Sequence, residues 1–359
     1  MPDRKIKVLV VDDSAVSRAF LIHKLESDPA FEIVGSVQNG AEAIDALERE
    51  NPDVVTMDIH MPVMDGYEAT QRIMQTHPLP IVICSASFDA GDVAKTFRAM
   101  EAGAVAVVEK PTNLKDPVHE AAARKFISTV KAMSEVRVVK RYPKRTRPEQ
   151  PPLPEAQPVT QRNIRLVAIG ASTGGPPAIQ KVLKNLVKPF PATVLIVQHI
   201  SAGFIEGLAT WLSATTGMPV RVAKPGEIAQ AGTAYIAPDG SQMGVDGDFR
   251  ILCSQQPAEH GMRPSVSCLF RSVAKSHGAQ AAGILLTGMG RDGAQDLNEM
   301  RKQGAITFAQ DQESSVVHGM PGEAIRIGAA MHVGTPERIS LLLSALISVE
   351  ERANSAPTP

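Results

Sequence analysis

LVAIGASTGGPP, residues 166–177, runs from an apolar segment through a glycine-rich turn into two prolines. The apolar segment is typical of a buried parallel strand, and proline is favoured in the first turn of a helix, so we expect a strand, a turn and a helix in that order. The turn places Ser172 at the carboxyl end of the strand, beside the amides that open the helix. Glycines keep side-chain bulk away, so another molecule can approach the backbone there.

This turn fits two kinds of site. It satisfies G-x-S-x-G, the signature of the nucleophile in serine hydrolases. It could also bind a phosphate, because helix N-termini bind anions. A dinucleotide site, however, would have glycine in place of Ser172 and an acidic residue near the end of the second strand, where this chain has Gln198 and His199. Both differences favour a hydrolase over a nucleotide site.

Strand and helix signals continue after this turn and predict an α/β domain with a mostly parallel, Rossmann-like sheet. Asp-Gly pairs at 239–240 and 246–247, together with the apolar run 249–253, predict a small inserted β-hairpin. The remaining strand signals lie at 193–197, 220–222, 233–236, 283–286 and, more weakly, 305–309, and the clearest helical segments are 205–215 and 265–276.

Three polar residues at predicted strand ends form a candidate catalytic triad. Ser172 and His199 each follow an apolar strand, and Asp292 lies in a glycine-rich loop after another. Loops after parallel strands emerge on one edge of a sheet, so the three could meet there. A serine needs a base to take its proton, and the imidazole needs an acid to orient it. The candidate oxyanion-hole donors are backbone amides in the two glycine-rich loops, namely those of Thr173, Gly174 and Met289.

Each triad residue also has a structural interpretation. Ser172 could be a helix N-cap, His199 a packed histidine, and Asp292 the cap of the helix predicted at 294–302. The order Ser, His, Asp also differs from that of α/β-hydrolases, so the motif does not imply that fold. Spacing alone does not exclude other bases and acids, which are His260, His277, His318, His332, Asp239 and Asp311.

The first half of the chain predicts a doubly wound, flavodoxin-like parallel sheet, from strand signals at 7–11, 33–37, 54–57, 80–84 and 104–108. Three carboxylates in one crevice repel each other unless a cation is present, and oxygen ligands suit Mg²⁺. A lysine and a hydroxyl beside them would suit a phosphoryl group on the third carboxylate. Helix capping would explain one such aspartate but not a full set at successive strand ends, which comprises Asp12, Asp13, Asp58, Ser85 and Lys110.

Composition bounds the class of protein. The chain has 359 residues, with 43% hydrophobic and 21% charged residues, which favours two ordinary globular domains. A net charge of -1 argues against a nucleic-acid binder whose whole surface is basic, although it leaves a local basic patch open. The three cysteines form no C-x-x-C pair, and neither a signal peptide nor an apolar run near the roughly 20 residues that span a bilayer is evident. We expect a cytoplasmic protein without membrane insertion or a nucleic-acid partner.

Residues 134–163 are rich in proline, glutamine and charge and lack apolar periodicity, which predicts a flexible linker. Its basic residues could bind an acidic partner, although a solvated linker explains them better. Nucleic acid is disfavoured because only Tyr142 lies nearby to stack on bases. The basic residues are Arg137, Lys140, Arg141, Lys144, Arg145 and Arg147.

The motifs VVDDSAVSR, MDIHMPVMDG, CSAS and VEKP resemble those of two-component response-regulator receiver domains over about residues 5–133. The resemblance implies that Asp58 accepts a phosphoryl group, that Asp12 and Asp13 hold Mg²⁺ with it, and that two further residues, Ser85 and Lys110, contact the acyl phosphate. Many receivers have an aromatic switch residue three positions before the lysine, where this chain has Val107.

The motifs IGASTGGP, VQHISAGF, MRPSVSCLFRSVA, LLTGMGRDGA and AQDQESSVVHGMP resemble the catalytic domain of the chemotaxis protein-glutamate methylesterases, the CheB family, over about residues 164–349. The resemblance implies Ser172 as nucleophile, His199 as base and Asp292 as the orienting acid, with no metal in the esterase site. Residues 200–201 and 67–70 are less typical of the family and bear on the partner rather than the chemistry.

Together the two resemblances imply a phosphorylation-activated serine esterase. It would demethylate glutamate methyl esters, and deamidate glutamines, on chemoreceptors, with a histidine kinase as phosphodonor and an unphosphorylated receiver that covers the active site. The expected domains are a receiver (1–133), the linker (134–163), the methylesterase domain (164–350) and a disordered tail (351–359). The alternative is a non-catalytic response regulator whose second domain binds a partner or a nucleotide.

Overall fold

The computed structural model describes residues 4–85, 90–111, 117–136, 138 and 162–347. The chain divides into two compact units, Met1–Arg147 and Pro148–Pro359. Residues 137 and 139–161, which make up most of the predicted linker and contain its basic cluster, lie outside the described residues, and so does the predicted tail.

The first unit alternates strands and helices. Its strands form one parallel sheet in the order β2-β1-β3-β4-β5. The predicted doubly wound sheet is therefore confirmed. Within the described residues its elements are β1 (Ile6–Val11), α1 (Ala15–Glu26), β2 (Phe31–Val37), α2 (Gly40–Glu50), β3 (Val54–Asp58), α3 (Gly66–Thr76), β4 (Ile81–Ser85), α4 (Ala90–Ala102), β5 (Ala106–Glu109) and α5 (Pro117–Ser134).

The local sequence explains these elements. Every residue of β3 and β4 is buried, as expected for central strands covered on both faces, so these strands read as continuous apolar runs. Three helices begin at a polar cap whose side chain accepts the amide hydrogen three residues on: Ser14 before α1, Asn39 before α2 and Asp65 before α3. These caps fix the residue at which each helix begins.

The second unit has a larger sheet and a separate hairpin. Among the described residues its elements are β6 (Leu166–Ala171), α6 (Gly175–Asn185), β7 (Thr193–Gln198), α7 (Ile205–Thr216), β8 (Val220–Val222), β9 (Ala234–Ile236), β10 (Gln242–Val245), β11 (Ile251–Ser254), α8 (Val266–His277), a 3-10 turn (Gly278–Gln280), β12 (Ala281–Leu285), α9 (Ala294–Lys302), β13 (Ile306–Gln310), α10 (Met320–Arg326), β14 (His332–Gly334) and α11 (Pro336–Ile347).

The large sheet has the order β14-β13-β12-β6-β7-β9-β8, and all its pairs are parallel. The chain leaves β6 toward β7 and later returns on its other side through β12. The carboxyl end of β6 is therefore a topological switch point, where open α/β sheets form their sites. The predicted parallel domain is confirmed, and β10 and β11 form the predicted antiparallel hairpin. Asp246 closes that hairpin, because its Oδ1 accepts the amides of Asp248 and Arg250.

The core of this unit lies between the sheet and its helices, with Leu166, Leu195 and Phe270 fully or almost fully buried. The sequence interpretation did not foresee α10, β14 or α11. None of the described helices combines the length and the apolar character needed to cross a bilayer.

Candidate functional sites

The first unit gathers its predicted polar residues at one edge of the sheet. Carboxylate oxygens of Asp12, Asp13 and Asp58 all lie within 4.8 Å of one another. Lys110 Nζ lies 2.7 Å from Asp58 Oδ2 and 2.9 Å from Asp12 Oδ2. Asp58 pairs with Cys84 in the sheet, so buried Ser85 follows at the same edge. The structure thus brings all five predicted residues to the carboxyl ends of the strands.

Neighbouring groups hold these carboxylates in place. Ser17 Oγ donates to Asp12 Oδ2 at 2.7 Å, and the amide of Ser14 donates to Asp12 Oδ1 at 3.0 Å. The amide of Ile59 donates to Asp58 Oδ1 at 2.7 Å, while Lys110 binds the other oxygen. The helical spacing of α1 does not indicate that the hydroxyl of Ser17 faces the cluster, so its role is evident only from the structure.

Charge and burial oppose each other in this cluster. Burial raises the pKa of Asp58 above its ordinary value, and Lys110 only partly offsets this. Burial on its own would lower the pKa of Lys110, but the charges of Asp58 and Asp12 hold it above its ordinary value. Three carboxylates with one ammonium leave a net negative site of oxygen donors, which could hold a metal ion.

In the second unit, Ser172 follows β6 in a tight turn. The Ser172 amide donates to Thr287 O at 3.0 Å, and its carbonyl accepts the Gly175 amide at 2.8 Å. Gly174 has a φ of +74°, and a Cβ there would lie 2.6 Å from Val316, so glycine is required on both grounds. The N-cap of α6 is Gly174, without a side-chain bond, so Ser172 is not the helix cap that the structural interpretation allowed.

His199 lies beside the serine because of strand register. Ala171 pairs with Gln198, so Ser172 and His199 are the next residues on neighbouring strands, and the His199 amide donates to Ala171 O at 3.0 Å. His199 Nε2 is 3.0 Å from Asp292 Oδ2, although its N–H does not point directly along that line. This contact leaves Nδ1 as the ring nitrogen available to the serine. Both side chains are largely buried, 8% exposed for His199 and 4% for Asp292.

Asp292 is fixed by a helix that is distant in sequence. Its Oδ2 accepts the Val266 amide at 2.7 Å and its Oδ1 accepts the Ser267 amide at 3.0 Å, so the carboxylate sits on the first turn of α8. The alternative in which Asp292 caps α9 does not hold, because Gly293 is that N-cap and no side chain bonds there. A helix N-terminus stabilises a negative charge, so the first turn of α8 stabilises the carboxylate of Asp292.

The protonation of Asp292 follows from these contacts. Burial on its own would raise the pKa of Asp292, but the close contact with His199 and the hydrogen bond from Ser267 together outweigh it and hold the pKa below its ordinary value. The group is therefore an anion at neutral pH, which can orient an imidazole and stabilise its protonated form.

The sequence reasoning missed two residues that hold the serine turn. Thr287 Oγ1 lies 2.9 Å from Thr173 O and accepts the Val317 amide at 3.0 Å, so it ties the turn to the loop after β13. At Gly288 a Cβ would lie 2.7 Å from Ser172 Cβ and 2.4 Å from Met320 Sδ, so only glycine permits this approach. In the sequence, Thr287 and Gly288 belong to the glycine-rich segment after β12. That segment points to backbone amide donors but not to these two packing roles.

The predicted oxyanion-loop residues lie around Ser172. Among the described residues, no backbone oxygen accepts the amides of Thr173, Gly174 or Met289. Unpaired amides next to a candidate nucleophile can donate to developing negative charge. The Met289 side chain is 56% exposed, so this loop opens to solvent.

The other histidines and aspartates, which the sequence left open as base or acid, have other partners or positions. His277 bonds Ser276 Oγ through Nδ1 and packs on Phe249, and His332 packs on Phe308. His260 is exposed in a turn, and His318 lies beside Gly288 with Nδ1 3.4 Å from Ser315 Oγ. Asp239 accepts the Gly203 amide and Asp311 accepts the Ser314 amide. Asp292 is the acid that the structure brings to His199.

Both units of the chain are similar to known proteins. The family model described as CheB methylesterase matches residues 167–343, and the response regulator receiver domain model matches residues 8–122. A relative from Geobacter metallireducens, named protein-glutamate methylesterase/protein-glutamine glutaminase 4, is 51% identical over 95% of this chain and 99% of its own length. A relative of the same activity name from Nitrosospira multiformis is 51% identical over 96% of this chain and 97% of its own.

Among solved structures, this chain is similar to the CheB methylesterase catalytic domain of Thermotoga maritima. The sequence identity is 32% and the TM-score is 0.50, and the match covers 51% of this chain and 98% of that one.

Proposed function

The chain belongs to the CheB methylesterase family, and we propose, from that membership and the site geometry, how its two units act as one enzyme. It is a protein-glutamate methylesterase and protein-glutamine glutaminase, the two activities for which its relatives are named. Its receiver domain makes the activity phosphorylation-dependent, as in chemotaxis adaptation. The relatives' names do not favour the alternative of a non-catalytic output domain.

The chemistry takes place at Ser172. His199 Nδ1 takes the hydroxyl proton as Ser172 Oγ attacks the side-chain carbonyl of a glutamate methyl ester, and Asp292 stabilises the resulting imidazolium. Free amides of the two glycine-rich loops, at Thr173, Gly174 and Met289, donate to the oxyanion. The imidazolium then returns its proton to the leaving methoxide, and methanol departs.

Water completes the cycle. His199 takes a proton from a water molecule as that water attacks the acyl-enzyme carbonyl. The imidazolium then returns the proton to Ser172 Oγ as the bond from Oγ to the acyl carbon breaks, which releases glutamate and regenerates the enzyme. A glutamine side chain follows the same steps with ammonia as the leaving group, which accounts for the second activity. The esterase site has a base, an acid and amide donors, so the steps require no metal.

The first unit supplies the control. Asp58 accepts the phosphoryl group, Asp12 and Asp13 would hold Mg²⁺ together with it, and Lys110 and Ser85 contact the acyl phosphate. When bound, Mg²⁺ neutralises charge on the carboxylates and the phosphoryl oxygens, and the oxygen-only donor set supports this assignment. The phosphodonor is a chemotaxis histidine kinase, and the substrates are methyl-accepting chemoreceptors.

The domain limits and the compartment are part of the same proposal. We assign a receiver to 1–133, a linker to 134–163 and a methylesterase domain to 164–350. The division into two compact units and the family matches at 8–122 and 167–343 support this assignment. All three cysteines of the chain, Cys84, Cys253 and Cys268, are unpaired, which supports a reducing, cytoplasmic location.

The observation that carries the proposal is the His199–Asp292 pair next to Ser172 at the switch point of the sheet. The test is release of methanol from membranes that contain methylated chemoreceptors. Wild-type protein should release methanol, and Ser172→Ala should release none above background while it unfolds at the wild-type temperature. A folded Ser172→Ala protein with near-normal activity would remove the serine from the mechanism.

A further inference from the structure

Gln198 lies between the serine turn and the histidine, although neither its type nor its position suggested a role. It is the last residue of β7 and is 2% exposed. Its Nε2 donates to two carbonyl oxygens, that of Ser172 at 2.8 Å and that of His199 at 2.8 Å. Both amide hydrogens are thus used, and they join the backbones of the proposed nucleophile and base.

These bonds fix the orientation of a peptide group at the site. The carbonyl of Ser172 and the amide of Thr173 belong to one planar trans peptide, so they point in opposite directions. The carbonyl is held from two sides, by Gln198 Nε2 and by the Gly175 amide at 2.8 Å. The Thr173 N–H is therefore aimed away from both donors, and no backbone oxygen of the described residues accepts it.

The space around Gln198 is arranged for its amide. A Cβ on Gly175 would lie 2.0 Å from Gln198 Oε1 and 2.8 Å from its Cδ, so glycine at 175 lets the side chain reach both carbonyls. Oε1 itself is buried and has no hydrogen-bond partner among the described residues. An unpaired buried carbonyl is unfavourable for stability, so folding alone does not account for an amide at this position.

We propose that Gln198 is a positioning residue for the reaction, an inference that rests on the proposed function. It acts through the two carbonyls it binds. By holding them, it keeps the Thr173 amide available to the oxyanion and keeps the backbone of His199 in register with Ser172. The amide donor is then preorganised, which is the condition under which such donors lower the barrier.

The main variant is Gln198→Met in the full-length protein, which keeps the volume and removes both donated hydrogen bonds. Removing one oxyanion donor outright costs about 10²–10³ in kcat, so loosening it should lower kcat by about 10- to 100-fold. KM for methylated chemoreceptor membranes should stay within about twofold, since Gln198 is only 2% exposed and its side chain is not available to bind substrate.

The matched control is Thr307→Val. Thr307 is fully buried on β13, donates to Ala329 O at 2.6 Å and accepts the Met331 amide at 3.1 Å. Thr307→Val therefore also removes two hydrogen bonds of a buried side chain, but these lie outside the site. At a temperature where both variants are folded, the kcat of Thr307→Val should stay within about twofold of wild type. Equal losses of kcat in the two variants would reduce Gln198 to a purely structural role and overturn the proposal.

Gly175→Ala provides an independent test that leaves the chemistry of Gln198 unchanged. Its methyl group displaces the amide, so kcat should fall as in Gln198→Met, and the double variant should be no slower than Gln198→Met alone. Multiplicative losses in the double variant, or a normal kcat in Gly175→Ala or Gln198→Met, would refute the proposal. Wild-type protein that releases no methanol would instead refute the proposed function, and the inference with it.

Discussion

Asp292→Asn probes the acid that the structure assigns to His199. The carboxylate accepts the amides of Val266 and Ser267 and faces His199 Nε2. The asparagine amide retains only one oxygen, so its NH2 group must replace the other oxygen and face an N–H that previously had an acceptor. If the new NH2 group faces His199, it donates to Nε2 and leaves the proton on Nδ1, where the serine needs a base. We expect kcat to fall by about 10³–10⁴-fold, as when such an acid is replaced by its amide.

The same change has a predictable effect on stability. A hydrogen bond to a charged group contributes about 1.5–3 kcal/mol, and one of the two amide bonds is lost. For a domain of this size each kcal/mol shifts the unfolding temperature by about 2–4 °C, so a decrease of about 3–12 °C is expected. The pKa of Asp292 is lowered by folding. The stability that the carboxylate contributes is therefore present above its unfolded pKa of about 3.9 and is lost as the pH falls through the folded value.

The assay is methanol release from methylated receptor membranes, with thermal unfolding measured in parallel. Asp246→Asn is the matched control, since Asp246 also accepts two backbone amides but lies in the hairpin turn. It should unfold at a somewhat lower temperature and retain wild-type kcat. A kcat for Asp292→Asn within tenfold of wild type would show that this acid does not orient the base.

Two further predictions concern the serine loop and the acidic cluster. Gly288→Ala places a methyl group 2.7 Å from Ser172 Cβ, so it should lower kcat more than tenfold and the free energy of unfolding by about 1–3 kcal/mol. Gly247→Ala is the control, because a Cβ there has no atom within 4 Å, and it should change neither quantity. The same kcat in the two variants would contradict the inference that Gly288 makes room for Ser172. Folding raises the pKa of Asp58, so ionisation of this residue opposes folding at neutral pH. Asp58→Asn should therefore raise the unfolding temperature of the first unit at pH 7, and this increase should vanish below about pH 4. An increase that becomes larger as the pH falls would show that folding lowers the pKa of Asp58 and would contradict the prediction.

Much of both sites could be predicted because parallel strands deliver their carboxyl ends to one edge. Asp12, Asp58 and Lys110 are far apart in sequence, yet each follows or ends an apolar strand. The same reasoning selected Ser172 and His199, whose proximity follows from the pairing of β6 with β7. Strand ends are visible in sequence because a buried run stops at a polar residue.

The remaining features depend on contacts that periodicity does not encode. The sequence allows Asp292 to cap the helix that follows it, as well as to orient the base, but its carboxylate accepts two amides of α8 that lie 26 and 25 residues earlier in the chain. In the sequence, Gln198 indicates only that a ribose-binding acid is missing from the end of the second strand. Its structural role is not visible there, because its two acceptors are backbone carbonyls, which have no sequence signature. The strand β14 has three residues, too few for an apolar pattern to distinguish it from a loop.

The central claim is that phosphorylation of the first unit controls a serine esterase in the second. Its most direct test is the initial rate of methanol release by the full-length protein, with and without acetyl phosphate and Mg²⁺, for wild type and Asp58→Asn. We predict that acetyl phosphate raises the wild-type rate, that a chelator abolishes the increase, and that Asp58→Asn shows none. An equal stimulation of Asp58→Asn, or an unstimulated wild type whose Asp58 is phosphorylated, would contradict the account.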